Sequence, residues 1–390
     1  MAVAGDTPRV KSMLIAAAAA LPLLVPATSA LAADDPPWSV DEQAMSDALA
    51  CTDFTHPERE PVLLVHGTFT EGPEQYLWNY ALELGARGFD WCTITYPNRG
   101  FGDLQLSGEY VAWAVLAIHG ATGRKVDVAG HSQGGLVPRW AIRWWPSATA
   151  AVDDFVGVAS PNHGGELATL SDLGTPPTGL PPFVWQVHPD SNFLAVLNAD
   201  DETPGDIDYT QVYTLTDELI QPVVPVPTAA LDWQQDNARV ANLLLQELCP
   251  LRVVDHLTIG TTDRVAFELV VDAFIHKGPA DPARLDLDVT CNLPDQVLDP
   301  AAQLQAFFAL GPGFLASFPP ELVLVDEEPP IRGYALAGAG GGTTAEQPVS
   351  GPSPTGETGE GLPASGGGLA LGGLSMLALL AASFGSGRRT

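Results

Sequence analysis

Apolar and polar positions follow a repeating order along much of this chain: a short apolar run, a turn, then an apolar stripe at helical spacing. Pro61-Val-Leu-Leu-Val65 predicts a buried strand, and Trp78 to Gly88 an amphipathic helix with Leu82, Leu84 and Ala86. Trp91-Cys-Thr-Ile-Thr-Tyr96 predicts a strand stopped by Pro97-Asn98. Ser107 to His119 predicts a helix facing inward through Tyr110, Val111, Ala114, Val115 and Ile118. Val126 to Ala129 is a further strand. Behind it Leu136, Val137, Trp140, Ala141 and Trp144 recur at helical spacing up to Pro146, with Pro138 near the start of that helix. Phe155 to Ala159 and Tyr209 to Thr216 read as later strands, and Asp34 to Thr55 turns from a Pro-rich opening toward helix. Strands alternating with helices predict an α/β fold: a mostly parallel sheet with helices on both faces, and a site at the carboxyl ends of the strands.

Three stretches break this order. Gly164 to Asn192 is proline-rich yet apolar, with Leu167, Leu170, Leu173, Leu180, Phe183, Val184 and Trp185. It reads equally as a lid-like insertion and as a packed surface excursion. Pro300 to Phe318 carries an apolar helical stripe, read as core packing with a pocket cover as the alternative. Residues 336–361 are rich in Gly, Ser, Thr, Pro and Glu and read as a disordered linker that would span roughly 80 Å if extended.

Both ends read as processing signals. Residues 1–32 place Arg9 and Lys11 before the apolar run Met13 to Val25, with Ala30-Leu31-Ala32 at the cleavage position, as in a secretory signal peptide. In residues 362–390, Leu362-Pro363-Ala364-Ser365-Gly366 precedes an apolar segment from Gly368 to Phe384 and then Arg388 and Arg389. This resembles a sortase-type sorting signal, with serine where threonine is usual, and implies cleavage after Ser365 and attachment to a cell wall. A plain membrane anchor is the alternative. Residues 33–335 remain as one catalytic domain.

The formal net charge is −30. Such a surface excludes nucleic acid as a partner and disfavours anionic membranes, so neutral substrates are expected. The four cysteines, Cys51, Cys92, Cys249 and Cys291, contain no Cys-x-x-Cys pair. In an exported chain they predict two disulfides, with three connectivities open from spacing alone. No metal-ligand cluster, phosphate loop or internal repeat is evident, so no cofactor or metal is expected, and the chain is expected to be a monomer.

The candidate chemistry sits between the strand Val126–Ala129 and its helix. Gly130-His131-Ser132-Gln133-Gly134 has the form of a nucleophile elbow, in which a tight turn exposes a serine to base and substrate. The Gln133 amide, at the helix N-terminus, can stabilise an oxyanion. After the first strand, His66-Gly67-Thr68 supplies a second candidate oxyanion loop in which Thr68 offers its amide and its hydroxyl. Asp217 follows a late strand, and His256 comes after it, so Ser132, Asp217 and His256 stand in α/β-hydrolase order. His276 rivals His256 as base. Glu218 rivals Asp217, but neighbouring side chains on a strand point to opposite faces.

Several stretches together resemble the lipase B-like α/β-hydrolases: Pro61 to Val65 with Gly67-Thr68 and Gly72-Pro73, Ser132 to Val137, and Thr216-Asp-Glu-Leu-Ile-Gln-Pro222. Cys249-Pro-Leu-Arg-Val-Val-Asp-His256 and Cys291-Asn-Leu-Pro294 complete the set. The resemblance implies an α/β-hydrolase fold, Ser132 as nucleophile, Asp217 as acid, His256 as base, and an oxyanion hole from Thr68 and Gln133. It also implies the pairs Cys51–Cys92 and Cys249–Cys291. His131 and Asn162-His163 depart from the family's pattern, and His131, Asn162, Leu219 and Ile220 are the candidate pocket residues. The activity expected is an exported serine lipase or carboxylesterase acting on neutral esters, foremost acylglycerols. Acyl transfer to a cell-surface lipid alcohol, and an inactive surface-binding module, are the alternatives.

Overall fold

A computed structural model describes residues 34–165, 179–292, 301, 305 and 322–338. The segments read as signal peptide and sorting signal lie outside the described residues. So do most of the predicted linker, the middle of the 164–192 excursion and nearly all of the 300–318 stripe.

Seven strands form one sheet: β1 (Leu49–Cys51), β2 (Val62–Val65), β3 (Trp91–Ile94), β4 (Val126–His131), β5 (Val152–Val158), β6 (Asp208–Tyr213) and β7 (Val240–Leu244). Their order is β1-β3-β2-β4-β5-β6-β7, with every neighbouring pair parallel except β1 with β3. The reversal of order around β2 and β4 creates the crevice where such sheets carry their sites. Buried on both faces, β2 reads as an unbroken apolar run, Val62-Leu-Leu-Val65, all fully buried. The architecture is the α/β-hydrolase fold expected from the strand–helix alternation.

Two cores flank the sheet. One gathers Leu63, Val65, Val126 and Val128 with the helices Leu104–Thr122 and Gln133–Trp144; the other gathers Val62, Leu64, Ala129 and Val156 with the helices Tyr80–Ala86 and Arg264–Ile275. Alternate strand residues divide between the two cores, as the two-residue period of a strand requires. The helix Leu104–Thr122 starts at Asp103, whose carboxylate accepts from the Gln105 amide, and ends at Gly123 in the left-handed region.

Cys51 is bonded to Cys92 and Cys249 to Cys291, joining β1 to β3 and the approach to His256 to the helix Leu287–Thr290. The described end of the 164–192 excursion is anchored. Gln186 donates to Asp103 Oδ1 at 2.6 Å and accepts the Leu104 amide at 2.8 Å, and Phe183 meets Phe101 edge to face at 5.3 Å. At the far end of the chain, the helix Gly333–Gly338 runs three residues into the stretch read as linker. Tyr334 explains this: it accepts from Trp140 Nε1 at 3.0 Å and packs edge-on against Trp145.

Candidate active site

The elbow is set by two glycines and a strained serine. Ser132 sits at φ 58° and ψ −129°, between the end of β4 and the helix Gln133–Trp144. A side chain on Gly130 would lie 1.8 Å from the Gly134 carbonyl oxygen, and one on Gly134 would lie 2.0 Å from that of Val65. Only glycine at both positions permits this turn. The Ser132 amide donates to Val158 O at 2.8 Å, tying the turn to β5.

His256 begins the short helix His256–Ile259, which Asp255 caps. Its Nε2 is 2.9 Å from Ser132 Oγ and its Nδ1 is 2.9 Å from Asp217 Oδ2. The other Asp217 oxygen accepts the Leu219 and Ile220 amides at 2.9 and 2.7 Å. Burial works against the Asp217 charge, but His256 and these amides outweigh it, holding the carboxyl below its usual range. Burial likewise disfavours a charged His256, yet the Asp217 carboxylate prevails and its pKa is raised. A histidine stabilised in its protonated form, with its other nitrogen on a serine hydroxyl, can accept that serine's proton.

Glu218 also faces His256, through a different atom: its carboxylate accepts the His256 backbone amide at 2.9 Å. Strand alternation does not separate Asp217 from Glu218, because β6 ends at Tyr213 and both acids lie in the turn beyond it. His276 is far from this arrangement in its bonding; its Nδ1 pairs with Asp272 at 3.0 Å.

The loop after β2 lies across from the elbow. The Gln133 amide is first in its helix and has no carbonyl partner there. Thr68 Oγ donates to Gln133 Oε1 at 2.8 Å, while Gln133 Nε2 donates to Gly100 O at 2.8 Å. His66 braces the loop: its Nδ1 is 2.7 Å from Gly67 O and its ring stacks on Tyr96 at 3.9 Å. Burial pushes its pKa down to about 4, so it is neutral at pH 7. Arg99 ties the loop further, donating to Glu74 Oε1 at 2.9 Å while its carbonyl accepts the Phe69 amide at 2.8 Å.

Two candidate pocket residues, His131 and Asn162, are buried and hydrogen-bonded to neighbouring segments. The His131 ring is buried under the His256 turn, receiving Gln75 Nε2 on Nδ1 at 3.1 Å and donating from Nε2 to His256 O at 2.7 Å. A side chain on Gly260 would overlap the ring at 2.1 Å, so the turn closes tightly over it. Asn162 is fully buried, and its amide donates to Gln211 Oε1 at 2.9 Å and Ala229 O at 2.7 Å. These bonds commit it to the scaffold behind the site. Ile220 and half-buried Leu219 pack with Tyr213, Val223 and Ala229 beside Asp217, and Ile220 Cδ1 approaches Gly165. Gln75 escaped the sequence reading. Its partner His131 is 56 positions away in the chain, and a lone glutamine in a helix carries no motif.

A protein-family model described as lipase (class 2) matches residues 59–247. Lipase B of Pseudozyma antarctica is 30% identical over 291 residues, covering 72% of this chain and 82% of that protein. The crystal structure of Aspergillus fumigatus lipase B is similar at a TM-score of 0.65 and 29% identity, covering 78% of this chain and 74% of the other. With this sheet order, two disulfides and a serine elbow facing a histidine and an acid, the chain belongs to the lipase B-like family of class 2 lipases, hydrolases of the α/β-hydrolase fold.

Proposed function

We propose that this protein is an exported serine lipase or carboxylesterase that cleaves neutral carboxylic esters, foremost acylglycerols, through an acyl-enzyme on Ser132. The observation that carries the reading is the His256 imidazole bridging Ser132 Oγ and Asp217 Oδ2 at 2.9 Å on each side. Ser132 Oγ attacks the ester carbonyl as His256 Nε2 takes its proton. Asp217 fixes the tautomer and steadies the imidazolium. The Gln133 and Thr68 amides receive the oxyanion, joined by the Thr68 hydroxyl once it turns from Gln133 Oε1. His256 then protonates the departing alcohol. Water, activated in the same way, releases the acid and restores Ser132. No cofactor enters these steps.

Two disulfides suit an oxidising compartment, which supports export through residues 1–32. Residues 336–361 would space the domain, 33–335, from a sorting segment at 362–390 that joins it to the cell wall. A net charge of −30 supports a neutral ester over an anionic one. The test is turnover of p-nitrophenyl esters of graded chain length by the wild type and Ser132→Ala. Loss of turnover in the variant is expected at every length; retained turnover overturns the reading.

A further inference from the structure

The opposite end of β4 carries a second cluster of chemistry that the ester reaction does not use. Five residues before Ser132, about 16 Å away along an extended strand, Asp127 is buried on β4 and is 1% exposed. Neither of its carboxylate oxygens has a hydrogen-bond partner. The Asp154 amide leans toward this carboxylate without closing a hydrogen bond. Asp154 is itself 5% exposed, and its Oδ1 also lacks a partner.

The backbone has been reshaped to bring these acids together. β4 and β5 pair in register from Val128–Phe155 to His131–Val158, but Val126 pairs with Val152, so β5 holds one extra residue here. That bulge sets Asp153 and Asp154 together against Asp127. One carboxylate oxygen from each of the three lies within 4.8 Å of the others. Asp153 is 45% exposed and opens the cluster to solvent, and Lys125 Nζ meets it at 3.0 Å. Glu60 lies close enough to raise the cost of charge on Asp127, and its Oε2 is also buried without a partner. The acids thus outnumber the nearby cations Lys125 and Arg124, and the innermost carboxylate is left without a cation of its own.

A buried, unpartnered carboxylate demands a proton or a cation. Oxygen-only donors and oxygen separations of this size match a hard ion held at about 2.3–2.6 Å from each ligand. We propose that Asp127, Asp153 and Asp154 form a divalent cation site, best suited to Ca2+, which ties β4 to β5 at the end of the sheet remote from Ser132. The ion neutralises the cluster and clamps the bulge, so its role is in stability and not in ester chemistry.

The full chain, treated with EDTA and exchanged into metal-free buffer, would be unfolded thermally with and without CaCl2, using NaCl of equal ionic strength as control. A rise in the unfolding midpoint of about 5 °C at a hundredfold excess over Kd, growing with the logarithm of the Ca2+ concentration, is expected, with calorimetry giving one ion per chain. Asp127→Asn could gain stability simply by shedding a buried charge, so the readout is the Ca2+-dependent shift within each variant. That shift should vanish in Asp127→Asn and shrink in the solvent-facing Asp153→Asn. An unchanged midpoint in the wild type shows that the acids hold protons instead and overturns the proposal, as does a shift retained in full by both variants.

Discussion

His131 Nε2 donates to the backbone carbonyl of His256 at 2.7 Å, so the residue before the elbow serine holds the turn that carries the candidate base. The bond is one link in a longer line. Gln75 Oε1 accepts the Gly67 amide at 2.7 Å, and its Nε2 donates to His131 Nδ1 at 3.1 Å. Burial and the neighbouring His256 push the His131 pKa down to about 3, so the ring stays neutral and keeps both roles. His131→Ala would leave Gln75 Nε2 and His256 O buried and unpaired, a loss of roughly 1–3 kcal/mol for each. We expect kcat to fall by about 10- to 100-fold as the imidazole shifts from Ser132, with KM little changed. Steady-state kinetics on a soluble ester check this, and an unaltered kcat removes His131 from the positioning of the base.

The pH dependence has a definite sign. His256 must be neutral to accept the serine proton, and Asp217 raises its pKa against the effect of burial. Activity should therefore be full on the alkaline side and fall as pH drops through a value above the ordinary histidine pKa of about 6.5. In Asp217→Asn the raising charge is gone. The acid limb of kcat/KM should move to lower pH while the plateau falls by about 10³- to 10⁴-fold. Profiles of the two proteins decide the matter; an acid limb at the same pH in both would reassign it to another group.

In the proposed reaction Thr68 offers the oxyanion its hydroxyl in addition to an amide. Thr68→Val preserves shape and amide and deletes only the hydroxyl, which now rests on Gln133 Oε1. The expected loss is about 10²- to 10³-fold in kcat, with KM held. A near-normal kcat would mean that the two amides suffice.

Arg252 and Asp263 form a dry ion pair, 1% and 3% exposed, with Nε donating to Oδ2 at 2.6 Å. Asp263 also caps the helix Arg264–Ile275 through the Ala266 amide. Arg252→Leu would strand that carboxylate in the core. Urea unfolding should show a loss of roughly 3–5 kcal/mol. Replacing both residues with apolar ones should cost less than the single change.

Much of this molecule was legible from local pattern. β2 to β5 announced themselves as short strand-like runs and β6 by alternation, and the order Ser132, Asp217, His256 follows from chain position. β1 and β7 did not, because Leu49–Cys51 is largely exposed and Val240–Leu244 only half-buried, so neither carries a buried-strand pattern. The orientation of His131 was hidden for another reason. A residue's place beside a nucleophile says nothing of which side its ring faces. Here that is decided by Gln75, 56 positions away, and by the room left at Gly260. The same holds for Asn162, whose partners come from four other segments.

The seat of Tyr334 among Trp140, Trp144 and Trp145 has a mechanical consequence. Tension applied to the chain beyond residue 338 reaches the body of the enzyme through this aromatic seam before it reaches any strand of the sheet. The seam lies on the helix whose first residue follows Ser132. It therefore works as strain relief: pulling would first peel away Gly333–Gly338, leaving the elbow and its histidine undisturbed until those rings separate.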